Sequence, residues 1–244
     1  MESEVYLRHI KNQKSHWWFS ARREIIRSII SKKVNLRNKK AKILDFGAGS
    51  GTNIKMLSKF GEVYVYEKYA KTSKFLKQHF IKFKKIKIIK KPKQKGFFDL
   101  ILVADVIEHI KNDDIFLKYL SKLLNKNGQI LITVPAFNFL FSSKDEVLHH
   151  HRRYSKKKIK KIVLKYFKLI KLSYYNFFLF IPIALLIIFF KIFRINFIDS
   201  VEKKSKNILH NVLFKIFCSE KYLLNFINFP FGLSLIALAK KKIN

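Results

Sequence analysis

The stretch Ile43-Leu44-Asp45-Phe46-Gly47-Ala48-Gly49-Ser50-Gly51 constrains this chain more than any other. An apolar run ends in an acid, three glycines fall within five positions, and a helical pattern follows from Thr52 to Phe60. That order reads as a buried strand, a tight turn and a helix start, a local arrangement that lets backbone approach a ligand closely. The spacing is Gly-x-Gly-x-Gly. A dinucleotide fingerprint would carry its third glycine one place later, where Thr52 stands.

Short apolar runs alternate with helical stretches on both sides of this turn. Strands are expected at 41–46, 62–66, 86–89, 98–104 and 129–134, then at 167–174 and 233–239. Helices are expected at 20–33, 51–60, 70–80, 113–125 and 155–166, with Gly128 in the turn before the fifth strand and Ser155 as an N-cap. Such alternation predicts an α/β fold: a Rossmann-like, seven-stranded, mostly parallel sheet with helices on both faces. Nearly 60 residues separate the last two strands, an apolar helical insertion that a minimal sheet does not need. The expected organisation is an N-terminal arm and helix (1–40), a core (41–175), the insertion (176–230) and a last strand with a basic tail (231–244).

A formal charge of +35 invites a nucleic-acid reading. Yet only eight of the 51 basic residues are arginine, the side chain that forks onto phosphates and base edges. Lys, Ile, Phe and Asn are enriched together and share A/T-rich codons, so genome base composition accounts for the lysines. The charge therefore does not argue for nucleic acid as a partner, whereas anionic lipid headgroups are a second acceptor for it. Cys218 stands alone, which excludes an internal disulfide and suits a reducing compartment. The start Met1-Glu2-Ser3-Glu4 is acidic and lacks an apolar core, arguing against a signal peptide.

Two further segments carry chemistry. Glu67 closes the second strand, 20 residues after Gly47, where an acid can accept both hydroxyls of a ribose. The segment Phe98-Asp99-Leu100-Ile101-Leu102-Val103-Ala104-Asp105-Val106-Ile107-Glu108-His109-Ile110 ends a strand in an acid-rich turn. With the glycine loop it resembles the fourth-strand region of small-molecule class I S-adenosylmethionine (SAM) methyltransferases. More narrowly, the chain resembles a bacterial subfamily encoded near cell-surface polysaccharide genes. The further matches are His16-Trp17-Trp18-Phe19, Ala21-Arg22-Arg23, Val134-Pro135-Ala136-Phe137, Asp145-Glu146, His150-His151-Arg152-Arg153-Tyr154-Ser155 and Pro230-Phe231-Gly232.

That resemblance implies SAM as cofactor, held by Asp45, Gly47, Ala48, Gly49, Gly51, Glu67 and Asp105. The three acids would give the strand ends a negative field suited to a cationic ligand. A hydroxyl acceptor needs a base near neutral pH, and His109, His150 and Asp105 are the candidates. His149, His151, Arg152, Arg153, Tyr154 and Trp18 are the candidate acceptor-binding residues. For the two arginines and Tyr154, anion recognition and salt bridging at a helix start stand equally open; for Trp18, packing competes with a lid. No metal is assigned, although Asp105, Glu108 and His109 offer a weaker cation alternative. One departure concerns the adenine: related enzymes often carry an acid after the third strand, where Lys90 to Gly96 has none.

The insertion holds a run without a charge from Leu172 to Phe190, 19 residues long. A spanning helix needs about 20, and a single crossing would separate two strands of one sheet. A re-entrant or interfacial helix fits better, with Lys191, Arg194, Lys203, Lys204 and Lys206 toward headgroups; a buried cap or dimer interface is the competing reading. The expected activity is methyl transfer to a small or lipid-linked acceptor, saccharide included, at a hydroxyl oxygen, in the cytoplasm or at the inner face of its membrane. The rivals are a nucleic-acid methyltransferase, disfavoured by Ala104-Asp105-Val106-Ile107 where an Asn/Asp-Pro-Pro-aromatic stretch is usual, and a non-catalytic membrane-associated binding module.

Overall fold

A computed structural model describes residues 16–36, 40–193 and 208–242. Seven strands form one sheet: β1 (Lys42–Phe46), β2 (Glu62–Tyr66), β3 (Ile86–Ile89), β4 (Phe98–Ala104), β5 (Leu124–Pro135), β6 (Phe167–Tyr175) and β7 (Ser234–Lys241). The order is β3-β2-β1-β4-β5-β7-β6. Every neighbour pair is parallel except those made by β7, which runs antiparallel between β5 and β6. The expected architecture is therefore found, and strand order reverses between β1 and β4. Ligands of open α/β sheets bind outside the carboxyl ends of the strands at such a reversal.

The central strands are apolar because both faces are covered: Ile43, Leu44, Leu100, Ile101, Leu102 and Val103 are fully buried. The covering helices are α1 (Trp17–Lys33), α2 (Ile54–Leu57), α3 (Ala70–Phe80), α4 (Asp113–Leu123), α5 (Ser143–Val147) and α6 (Lys156–Tyr166). In α1, Ala21, Ile25, Ile26, Ile29 and Ile30 recur at helical spacing and make its buried stripe. It begins earlier than expected because His16 caps it, accepting the Trp18 N–H on its ring. By contrast α2 is far shorter than the expected 51–60, since Gly51 sits at φ +78° and the helix can only start after Asn53. Strand β5 opens at Leu124, not 129. The polar stretch through Gly128 hides its start, and the register shifts there against β4.

Between β6 and β7 lie α7 (Phe180–Ile192) and α8 (Ile208–Leu223). Helix α8 packs along α1: Trp17 and Trp18 meet Phe217, and Asn225 donates to the Ser28 hydroxyl at 2.8 Å. Glu220 of α8 is fully buried and accepts the backbone N–H groups of Asn176, Phe177 and Phe178 at 2.7, 2.7 and 3.1 Å. One carboxylate thus fastens α8 to the chain leaving β6. Among the described residues no helix is long and apolar enough to cross a membrane. Arg194, Lys203, Lys204 and Lys206 lie outside the described residues.

Candidate functional site

The turn after β1 is held in a shape that glycine permits. Gly47, Gly49 and Gly51 all have positive φ, at 71°, 53° and 78°. A Cβ at Gly47 would stand 2.7 Å from the Val106 side chain, so the loop lies tight against the end of β4. The Gly47 and Ala48 N–H groups bond back to the Tyr66 carbonyl at 2.8 and 3.2 Å. Glu67, at the end of β2, accepts the Gly49 N–H at 2.8 Å on one oxygen and the Tyr69 N–H at 3.0 Å on the other. Each oxygen keeps a second lone pair for a ligand hydroxyl.

Asp45 is buried under the same turn, and its Oδ2 has no hydrogen-bond partner. Burial pushes its carboxyl up to about 7, against the pull of nearby Arg22. Asp105, beyond β4, adopts φ 54° and is held from two sides: Arg22 ion-pairs with Oδ2, and the Thr133 hydroxyl donates to Oδ1 at 2.8 Å. Arg22 is itself buried on α1, its guanidinium 4.8 Å from the Trp18 ring centre and 5.2 Å from that of Phe19. Trp18, half-buried, packs on Arg22 and Phe217. An orphaned acid, an Nε of Arg22 without a partner and a turn that a Cβ would fill are what a close-fitting polar ligand requires.

The second cluster lies beside Asp105. Glu108 is fully buried, neither carboxyl oxygen has a hydrogen-bond partner, and burial pushes its proton affinity up to about 8. The loop after β5 brings His150 to it, Nε2 standing 4.0 Å from Glu108 Oε1. On the opposite side of the ring, His150 Nδ1 lies 2.8 Å from Asp145 Oδ1. Burial alone would raise Asp145, but bonds from His150 and Arg153 hold it well below the usual carboxylate range. An ionised acid on Nδ1 leaves Nε2 as the acceptor nitrogen. His109 meets His150 edge to face at 4.6 Å and is pushed down to about 4, first by desolvation and then by the neighbouring His150. Glu108, His109 and His150 each offer a ligand atom within 4.8 Å of one another. A cation could sit there, rather than on the Asp105-Glu108-His109 turn, because Asp105 is taken by Arg22.

The remaining acceptor-side candidates divide sharply. Arg153 clamps Asp145 through Nε at 3.0 and 3.1 Å and a second nitrogen at 2.8 Å. Arg152 bonds Asp113 at 3.0 Å and the Lys111 carbonyl at 2.8 Å. Tyr154 is wholly buried and donates to Asp113 at 3.0 Å. In this structure each of the three ties the loop down, the arrangement of the salt-bridging alternative. His149 and His151 are exposed at the rim. Two residues that matter were not among the expected site residues, Arg22 and Asp145. The scarcity of arginine singles out Arg22; for Asp145 the local pattern Ser142-x-x-Asp145 signals a helix cap, which it also makes.

This fold and this site define a class I methyltransferase of the SAM-dependent kind. The family model described as "Methyltransferase domain" matches residues 18–169, more than half of the chain, and the chain belongs to that family. A ubiquinone biosynthesis O-methyltransferase of Pelagibacter ubique is 34% identical over 100 residues, covering 38% of this chain and 42% of that protein. The chain thus matches less than half the length of that curated relative. Phosphoethanolamine N-methyltransferase 2 of Haemonchus contortus superposes with TM-score 0.58 at 17% identity, over 89% of this chain and 52% of its own. The 1,6-didemethyltoxoflavin-N1-methyltransferase of Burkholderia thailandensis gives 0.55 at 14%, over 90% and 79%. At those identities the structures speak for the fold alone.

Proposed function

We propose that this enzyme transfers the methyl group of SAM to a hydroxyl oxygen of a small, lipid-linked acceptor, with His150 as general base. The observation that carries the reading is the Asp145–His150 pair at 2.8 Å, whose free Nε2 faces the unpartnered Glu108 carboxyl beside Asp105. When bound, SAM supplies an electrophilic methyl on a sulfonium, and the protein's share is positioning, water exclusion and proton removal. Gly47, Ala48, Gly49 and Gly51 would lie against it, Glu67 would accept its ribose hydroxyls, and Asp45 and Asp105 would face its positive end.

His150 would take the acceptor's hydroxyl proton on Nε2, while Asp145 keeps the ring oriented and stabilises the imidazolium. Arg153 keeps Asp145 in place. Glu108, buried beside the ring and pushed up to about 8, keeps a second negative charge away from His150 at neutral pH. His149 and His151, exposed on the same loop, would touch the acceptor. The oxygen-methylating relative from Pelagibacter ubique favours an O–H acceptor, and the apolar helices beside the loop favour an amphipathic one.

The test is turnover of radiolabelled SAM with polar lipid extract and with its water-soluble fraction. Label entering the lipid phase in wild type and absent in His150→Ala supports the reading. Label entering neither fraction, or equal labelling by the variant, overturns it.

A further inference from the structure

Helix α7 reads Phe-Ile-Pro-Ile-Ala-Leu-Leu-Ile-Ile-Phe-Phe-Lys-Ile, apolar on every side. A helix of that kind is ordinarily buried all round. Here only the inner side is covered: Ala184 and Ile187 pack with Leu140 and Leu233. The outer side carries Ile181, Leu185, Phe189 and Ile192 at 61, 62, 49 and 69% exposure. Helix α8 repeats the pattern, with Leu209 and Val212 exposed and Phe217 buried. Of 24 exposed large apolar side chains among the described residues, 15 fall between Phe178 and Ile227, so the exposure is concentrated in these two helices and their flanks.

We infer that this region is the docking surface for an anionic lipid bilayer, on which α7 lies in the interface. Charge selects that occupant. The described residues of α7 and α8 contain one acid, Glu220, and it is buried in its backbone clamp. Their exposed or half-exposed charges are Lys191, Lys215 and Lys221, and Lys32 of α1 sits 5.5 Å over the Phe226 ring at the border. A cleft beside α1, about 530 Å³ in volume, is lined by Arg23, Arg27, Lys55 and Lys59 together with one acid, Glu24, which pairs with Arg27 at 2.8 Å. A second copy would bring the same cationic border against itself, whereas anionic headgroups neutralise it. Thirteen residues of helix are too short to cross about 30 Å of hydrocarbon but suit lying in its surface.

The placement gives the surface a purpose. The inner face of α7 rests on the segment after β5, and Lys191 Nζ reaches the Phe139 carbonyl at 3.4 Å. That segment continues through Asp145 to His150. Docking therefore sets the base loop at the membrane plane, where a lipid-linked acceptor presents its polar head. The inference deepens the proposed function and rests on it only for the acceptor.

Flotation of the full chain with vesicles of phosphatidylcholine alone, and with vesicles also containing phosphatidylglycerol, tests it. Wild type should rise with the anionic vesicles, and less so at high salt. Leu185→Ser with Phe189→Ser should reduce that partition by roughly tenfold or more, with an unchanged circular-dichroism melting curve showing that the fold is intact. Wild type that stays unbound overturns the proposal. So does a double variant that floats like wild type, or a detergent-free dimer that the same pair makes monomeric while vesicles capture nothing. Binding without lipid methylation leaves the docking surface standing and removes only the acceptor.

Discussion

The two clusters at the carboxyl edge of the sheet are made of different material. The donor end is mostly backbone: three glycines at positive φ, amides turned toward Tyr66 and Glu67, and Asp45 beneath them. The acceptor end is side chain upon side chain: Arg153 on Asp145, Asp145 on His150, His150 beside Glu108. A backbone site is written in consecutive residues and fails when one of them gains a Cβ. A side-chain site is spread over loops, and its members hold one another in place.

Single substitutions should separate the two ends. The largest effect is expected for His150→Ala, a fall in kcat of about 10²–10⁴ with SAM affinity unchanged, since general-base loss is a chemical-step effect; single-turnover kinetics and calorimetry together would show it, and a matching loss of SAM affinity would merge the two ends. Next comes Gly49→Val, expected to weaken SAM by roughly a hundredfold or more through a blocked approach, with the melting temperature lowered by strain at φ 53° but the chain still folded. Titration with SAM decides that one. Glu67→Ala should weaken SAM by about 1–3 kcal/mol, the range for hydroxyls left unpaired, and leave vesicle flotation untouched.

The last expected effect falls on stability, not on turnover or SAM affinity: a pH dependence belonging to the acceptor end alone. Burial raises Glu108 from 4.5 to about 8. Below the ordinary value both folded and unfolded chains hold the proton. Between that value and about 8 only the folded chain does, so rising pH favours unfolding. Glu108→Gln removes this dependence. Its stability relative to wild type should therefore rise by on the order of 3 kcal/mol between about pH 5 and about pH 8, any cost of the buried amide being common to both. Urea midpoints measured at the two pH values give the difference, and a flat difference would mean that Glu108 is ionised throughout.

The same contrast explains what could be read from residues alone. All seven strands lie where apolar runs between turn signals placed them, because burial on both faces writes itself into composition. Only the start of β5 escaped, hidden in Asn125 to Gly128, which looks like a turn and is irregular strand. The glycine loop and Glu67 were legible as neighbours in sequence. The pairing of Arg22 with Asp105 spans 83 positions, and nothing local announces it. Asp145 and His150 are only five apart, yet Asp145 ends up inside a short helix and His150 in the loop after it, and spacing alone does not show that they pair. Arg152, Arg153 and Tyr154 drew attention as a cluster, but their partners Asp113 and Asp145 decide their use.

The position of β7 carries a consequence for how the chain assembles. It is synthesised after every other strand, with α7 and α8 in between, and yet it sits inside the sheet between β5 and β6. On the ribosome, β5 and β6 therefore wait with unpaired backbone edges while two strongly apolar helices emerge. The sheet has a gap that only its latest strand closes. Release of an incomplete chain would leave an open-edged, adhesive intermediate, and a surface that shelters α7 early would act as a folding aid as well as a workplace.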